Sequence, residues 1–308
     1  MIKYTQNRVS ESRLLLPFTL IYGVVMCLLA GFAHADKCVA ALELFAATLL
    51  MVYLNNSNAL IRIYSRMVSA AYMLLSLTAL FVLGSWQPQA AAISLILFFI
   101  FLFKSYQDRR ASAMVFYAFA FLGVGSLFFP YLLYLVPVFW VILGTNIMSL
   151  SLHNFVASLL GLLAPYWFAL CYYLYVGNVE PLALHFVQLA HVHPLTGILQ
   201  YTTLQYLSLA WVLIMGITGM VHFLRTSYKD KIRTRMIFYT FITTFVLLLG
   251  LLVVVPNELP TVLSLIIVCV APLLGHYIAL THTRLTNISF ELITVVTIVL
   301  TLYGIWVN

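Results

Sequence analysis

The sequence predicts an all-α fold, a polytopic bundle of about eleven transmembrane helices in a single integral membrane domain that covers residues 1–308. The chain is 64% hydrophobic and only 7% charged, whereas a soluble domain usually carries about 25% charged residues. Its apolar residues form long runs rather than one helical stripe, which is typical of helices that face lipid or other apolar helices. Most of the charged residues lie in short segments between these runs.

Eleven apolar runs follow one another along the chain, and each one predicts a membrane span. Several contain about 20 residues, enough to cross a hydrocarbon core of about 30 Å at about 1.5 Å per residue. Two of the shorter runs meet at Phe129 and Pro130, which favours a tight helical pair. The predicted spans are 14–33, 38–54, 67–84, 90–103, 113–128, 131–144, 155–177, 203–224, 236–255, 261–281 and 288–307.

The lysines and arginines predict the orientation, because basic residues concentrate in the cytoplasmic loops of membrane proteins. With the N-terminus in the cytoplasm and the C-terminus outside, fourteen of the fifteen basic residues fall inside, and Lys37 falls outside. The predicted location is therefore a bacterial cytoplasmic (inner) membrane. Ala33-His34-Ala35 is compatible with a signal-peptide cleavage site, but the preceding run is long for a signal peptide and favours a retained helix.

Several classes of function are excluded by composition and motif. The net charge of +7 comes from orientation signals in separate loops, so no nucleic-acid binding is expected. The four cysteines include no CxxC pair, so neither a metal site nor a disulfide framework is predicted. Walker, GxGxxG, HExxH and GxSxG motifs do not occur, and no cofactor is expected. The expected partners are membrane lipids, and no protein partner is indicated.

The longest segment predicted outside the membrane runs from Asn178 to Gln200. Pro181 suits the first turn of a helix, and Pro194 would end it. Within this helix His185, Gln188 and His191 share one arc, while apolar side chains cover most of the other face. The pattern predicts a short amphipathic helix that lies in the membrane interface.

Four short pieces within residues 55–175 stand out as loop and helix-packing motifs. They resemble those of a family of uncharacterised Bacteroidetes-type inner-membrane proteins of about this length. The resemblance implies an all-helical membrane fold and brings no established activity. The pieces are Asn55-Asn-Ser-Asn-Ala59, Lys104-Ser-Tyr-Gln-Asp-Arg-Arg110, Gly123-Val-Gly-Ser-Leu-Phe-Phe-Pro130 and Gly161-Leu-Leu-Ala-Pro-Tyr166.

A second resemblance concerns the architecture. Asp36 lies just outside the first span, and a longer outer segment, 178–200, lies between spans seven and eight. This arrangement is similar to that of GT-C membrane glycosyltransferases, and the glycine-punctuated stretch from Ala113 to Pro130 resembles a hairpin of those enzymes. The resemblance implies a transferase that uses a polyprenyl-phosphate-linked sugar at the periplasmic face.

Two acidic residues near the outer surface are candidates for chemistry. Asp36 is the candidate catalytic residue, a general base that would take a proton from an acceptor hydroxyl. Glu43 lies about two turns inside the second span, where a charge is costly, and it is a candidate substrate-binding residue. The two carboxylates are seven residues apart and would share one helix face. The alternatives are a solvated Asp36 paired with Lys37, and a Glu43 that reaches toward the surface.

The histidines of the outer segment are the other candidate substrate-binding residues. His185, His191 and His193 would bind a lipid phosphate or carry a proton. A zinc site is poorly supported, because the spacing offers only an i, i+2 pair. The alternative is an interfacial segment without chemistry.

Two further features lie in or near the later spans. His276 follows Pro272 and Gly275, and proline and glycine inside a span permit a kink of the kind found in transporters. The alternative is a packed helix with a histidine that is hydrogen-bonded across it. The inner segment 225–235 holds five basic residues. It would recruit anionic lipid headgroups or serve as an orientation anchor alone.

Three hypotheses for function follow. The first is a polyprenyl-phosphate-linked glycosyl transferase with Asp36 as its base. The second is a membrane transporter or lipid flippase that uses Glu43, His276 and the proline-containing spans. The third is a non-catalytic membrane subunit of an envelope assembly. The sequence does not decide whether the protein is an enzyme.

Overall fold

The computed structural model describes residues 4–31, 35–190 and 195–307, without the side chains at 35, 36, 195, 196 and 198. The structure is 85% helical, and the described residues form no β-strand. The prediction of an all-α fold is therefore confirmed.

Thirteen α-helices are found in these three ranges, joined by short turns and 3₁₀ segments. They are α1 (Thr5–Ser10), α2 (Leu15–Leu29), α3 (Ala35–Asn58), α4 (Met67–Thr78), α5 (Gln87–Lys104), α6 (Ser112–Phe128), α7 (Val136–Thr145), α8 (Leu152–Val176), α9 (Glu180–Ala190), α10 (Thr203–Thr226), α11 (Ile232–Val254), α12 (Leu259–Leu280) and α13 (Arg284–Val307).

Each of the eleven apolar runs coincides with helix, but the helices fall into two length classes. Among the described residues, seven stretches are long and apolar enough to cross a membrane: Lys37–Asn58, Gln87–Lys104, Leu152–Val176, Thr203–Lys229, Ile232–Val254, Pro256–Leu280 and Arg284–Val307. Four stretches are shorter, namely Leu15–Leu29, Met67–Thr78, Ser112–Phe128 and Pro130–Thr145. A span needs about 20 residues, so crossing by these four stays a prediction. The coarser conclusion is a helical membrane protein.

The segments predicted to lie inside meet at one end of the bundle. The Arg62 guanidinium donates to the carbonyl oxygen of Lys229 at 3.4 Å, and the Arg233 guanidinium donates to that of Phe103 at 3.2 Å. These contacts join three loops that are far apart in the chain. We call this end, formed by segments 58–66, 104–112, 146–151, 226–232 and 280–284, the basic end.

The other joints meet at the far end of the helices. The Tyr201 hydroxyl donates to the carbonyl oxygen of Pro256 at 2.5 Å, and the Ser264 hydroxyl donates to that of Pro88 at 2.8 Å. We call this end, formed by segments 79–88, 128–136, 177–190, 195–202 and 255–259, the opposite end. These contacts bring the segments before α5, α10 and α12 together at this end, and the alternation of all the loops between two ends stays a prediction.

Helix α12 lies at the centre of the bundle. The 18-residue stretch of this helix that could cross the membrane is entirely buried. The helix contacts α4, α5, α10 and α11. Glycines permit the close approach. A Cβ atom at Gly219 of α10 would lie 2.7 Å from the backbone of Leu273, and one at Gly275 would lie 3.0 Å from the backbone of Val68. Small residues at such contacts are typical of membrane helices.

The short helix α1 closes the basic end beneath α12. The Gln6 amide donates to the carbonyl oxygen of Ile278 at 2.6 Å, and the Asn7 amide donates to that of Thr281 at 3.0 Å. The last four carbonyl groups of a helix lack partners within it. Gln6 and Asn7, both buried, thus help to cap the C-terminal end of α12.

Replacing Gly219 with alanine should destabilise the bundle. The added methyl group would overlap the backbone of Leu273, and overpacking of this kind costs about 1–3 kcal/mol. Gly250→Ala is the control, because a Cβ atom there meets nothing within 4 Å. Thermal unfolding in detergent should give a lower Tm for G219A than for the wild type, whereas G250A should not lower it. Equal values for the two variants would contradict the close packing of α10 on α12.

The orientation is tested by cysteine labelling in a background without the two accessible cysteines, Cys38 and Cys171. Gln87 lies exposed at the opposite end, and Tyr228 lies exposed at the basic end. In intact cells a membrane-impermeant maleimide should label Gln87→Cys, and it should label Tyr228→Cys only after lysis. The reverse pattern would invert the predicted orientation, and labelling of both in intact cells would contradict the alternation of the loops.

Candidate functional site

Three of the predicted site residues lie outside the part of the chain whose side chains are described, namely Asp36, His191 and His193. Asp36 belongs to the first turn of α3, so its backbone is at the opposite end of the bundle. The convergence of Asp36 with the histidines of the outer segment stays a prediction.

Glu43 is half-buried in α3. Its Oε2 atom is fully buried and has no hydrogen-bond partner among the described residues. The carboxyl group interacts electrostatically with Tyr72 of α4, whose buried hydroxyl donates to Gln89 at 3.4 Å. A carboxyl group without a partner inside a membrane span is a candidate for proton exchange or for binding a substrate.

His185 lies in α9, and the helix predicted for this segment is confirmed. Its Nε2 atom is 3.1 Å from the Tyr166 hydroxyl of α8, which lies 2.7 Å from the Ser126 hydroxyl of α6. Burial lowers the pKa of His185 from its ordinary value of 6.5, because the neutral imidazole is favoured away from water. The ring thus fastens α9 to the bundle, and its predicted binding of a lipid phosphate stays a prediction.

The most deeply buried pair of ionisable side chains lies at the basic end. Nε2 of His276, in α12, donates to Oδ2 of Asp230 at 3.0 Å. The exposed fractions of the two side chains are 1% and 4%. Asp230 lies in the loop before α11, so this contact joins the central helix to the loop between α10 and α11. We call His276 and Asp230 the buried pair.

Aromatic rings enclose the histidine of the buried pair. Its ring centroid is 5.5 Å from that of His222, 5.2 Å from that of Phe223 and 5.0 Å from that of Phe238. Its Nδ1 atom is buried and has no hydrogen-bond partner in the described part of the protein. His276 therefore has one nitrogen held by a carboxylate and one buried nitrogen without a hydrogen-bond partner among the described residues.

One arginine borders the buried pair, and a second fastens α11 to other parts of the basic end. The Arg62 guanidinium lies 3.9 Å from Oδ1 of Asp230 and is itself largely exposed. The Arg233 guanidinium donates to Oδ1 of Asn58 at 3.1 Å and lies 5.8 Å from the ring centroid of Tyr106. The positive charge of Arg62 therefore lies beside the carboxylate of the buried pair.

Asp230 was not predicted as a site residue, although the sequence carries a weak signal for it. It is the single acidic residue within the basic segment 225–235. An acidic residue has no value as an orientation signal, so its presence there required another explanation. The sequence drew attention to segment 225–235 and to His276 separately, and it did not predict the contact between Asp230 and His276.

In the described ranges no group of three or more histidine, cysteine, aspartate or glutamate side chains is placed to hold a metal ion. No family model, curated protein or solved structure matches the chain. The interpretation of the site therefore depends on its own geometry.

Removal of the carboxylate of the buried pair should destabilise the protein. Asp230→Ala strands Nε2 of His276 in a buried position, and breaking such a pair costs about 3–5 kcal/mol. Glu180→Ala is the control, because Glu180 is exposed. Unfolding in detergent should show a loss of stability for D230A and no such loss for the control, E180A. In a His276→Leu background D230A should cost much less, and additive effects would contradict the coupling.

The contact of α9 with the bundle should weaken in acid. Because the docked His185 has a lowered pKa, the docked state disfavours the imidazolium, and its stability falls as the pH drops below 6.5. The protection of residues 180–190 against hydrogen exchange, corrected for the slower intrinsic exchange in acid, should be weaker at pH 5 than at pH 7.5. His185→Gln should remove this dependence. An equal dependence in that variant would assign the effect to another group.

Proposed function

We propose that the protein is a membrane transporter of the lipid flippase type whose transport step is linked to protonation. The observation that carries this proposal is the presence of two ionisable side chains inside the helical bundle, each with an unpartnered polar atom, Oε2 of Glu43 and Nδ1 of His276. Ionisable residues within membrane spans are costly and usually mark substrate or proton pathways.

The two groups lie toward different ends of the bundle. Fifteen residues of α3 separate Glu43 from Asn58 at the basic end, which corresponds to about 22 Å of helix. His276 lies one turn before the end of α12 and contacts the basic end directly through Asp230. Groups at two depths are what a carrier requires if it accepts a proton from one side and releases it toward the other.

A lipid substrate agrees better with the packing than a water-soluble one. Helix α12 fills the centre of the bundle, where a soluble solute would need a passage. A cavity of about 220 Å³ instead opens between α2, α4 and α13 at the bundle surface. Its lining is predominantly apolar, with Leu15, Phe18 and Phe290 among the lining residues. A lipid can cross along such a surface without a central pore.

The position of His276 also supports a conformational change in α12 during transport. Pro272 lies inside α12, one turn before His276, and proline removes a backbone hydrogen bond from the helix. Gly275 packs directly on the backbone of Val68. A change in the bonding of His276 to Asp230 would therefore act on the turn of the central helix that follows Pro272.

The test uses the purified protein in liposomes that contain an NBD-labelled phosphatidylglycerol. With the wild type and an imposed pH gradient, the fraction of label that dithionite bleaches should exceed that of protein-free vesicles. Glu43→Gln and His276→Gln should each return it to the protein-free level, because neither side chain could then exchange a proton. Each variant must first elute as a monodisperse protein with near wild-type helicity.

Glu180→Gln provides the matched control, since it removes an exposed carboxylate and should leave transport unchanged. A wild type that behaves like protein-free vesicles would contradict the flippase. Transport that persists in both E43Q and H276Q would contradict the link to protonation.

A GT-C-like transferase is the second candidate, and one observation favours it. Helix α9 forms between α8 and α10, as the architectural resemblance implies. It lies at the opposite end of the bundle, where α3 begins and where the backbone of Asp36 lies. Asp36→Asn keeps the size of the side chain but removes the base. If this variant is present in the membrane at normal levels but fails to complement a strain that lacks the protein, the transferase is favoured. Full complementation would contradict a catalytic role for Asp36.

A further inference from the structure

A second, larger groove lies at the basic end between α6 and α8. It has a volume of about 410 Å³. Leu152, Val156 and Leu160 form most of its apolar wall, and all three are exposed, so the groove opens toward the side of the bundle. The lining residues are Ser112, Leu152, His153, Val156, Ala157 and Leu160.

Cationic side chains stand at the mouth of this groove. Arg109 and Arg110 are exposed and lie three and two residues before Ser112, respectively. His153 is exposed and lines the groove itself. The acidic neighbour, Asp108, accepts a hydrogen bond from the backbone N–H of Arg110 at 2.8 Å. The mouth is therefore basic, whereas the wall is apolar.

The backbone adds to this positive potential. Helices α6 and α8 both begin at the mouth, where the Ser112 hydroxyl donates to Oδ1 of Asn154 at 3.1 Å. The Ser151 hydroxyl donates to the carbonyl oxygen of Arg109 at 2.9 Å. These bonds hold two helix N-termini beside the arginine pair. The N-terminus of a helix carries partial positive charge and favours anions.

We infer that this groove binds one anionic phospholipid, with an acyl chain along Leu152, Val156 and Leu160 and with the phosphate at Arg109 and Arg110. A soluble anion would gain nothing from the apolar wall. A neutral lipid would gain nothing from the basic mouth, where a basic residue adds about 1 kcal/mol of attraction for an anionic lipid. The site is separate from Glu43 and His276, and its binding equilibrium is independent of the proposed transport.

The experiment counts bound lipids on the intact, detergent-purified chain by native mass spectrometry. Dioleoyl-phosphatidylglycerol is titrated against dioleoyl-phosphatidylcholine. The wild type should prefer the anionic lipid by about tenfold or more. Arg109→Gln/Arg110→Gln should lower its affinity to that for phosphatidylcholine. Arg8→Gln/Arg13→Gln removes the same charge at the basic end but away from the groove, and it should retain the preference.

A second pair of variants tests the wall, and inorganic phosphate tests the source of the anion. Leu160→Trp should fill the groove and weaken binding of phosphatidylglycerol. Leu224→Trp, at an exposed position of α10 near the basic end that does not line the groove, should not. The inference is overturned if both lipids bind equally, if the two arginine pairs behave alike, if L160W binds normally, or if inorganic phosphate displaces the lipid.

Discussion

The fold depends on one constraint, the burial of α12 on every side. A central helix cannot use lipid or water to satisfy a polar side chain, so its histidine must find a partner within the protein. Asp230 supplies that partner from the loop between α10 and α11. The glycines of α10 and α12 then allow neighbouring backbones to approach closely. Polar pairing at one end and small-residue packing along the length together determine how the surrounding helices are arranged.

The loop that carries Asp230 therefore has two roles. Its lysines and arginines predict which side of the membrane it occupies, whereas its single carboxylate reaches into the bundle. Arg62, from another loop, approaches the same carboxylate, and Arg233 joins this region to Asn58 and Phe103. Orientation signals and the candidate site thus occupy one surface, so a charge change there affects both insertion and the buried pair.

Much of the fold could be predicted because hydrophobicity acts locally. The apolar runs predicted all the long helices, and Pro181 together with the amphipathic pattern predicted α9. The short helices, such as Met67–Thr78, were less predictable, because packing and not composition ends them. The partner of His276 could not be predicted, since Asp230 lies 46 residues away. Glu43 was recognisable from a carboxyl group in an apolar run, but its unpartnered oxygen depends on tertiary packing.

The cap formed by α1 has a consequence for biogenesis. Gln6 bonds to a carbonyl group 272 residues later in the chain, and Asn7 bonds to one 274 residues later. Their partners lie at the end of α12, so α1 can form these bonds only after α12 has been synthesised. Closure of the basic end by α1 is then an assembly step that follows α12, and a chain that stops before α12 cannot perform it.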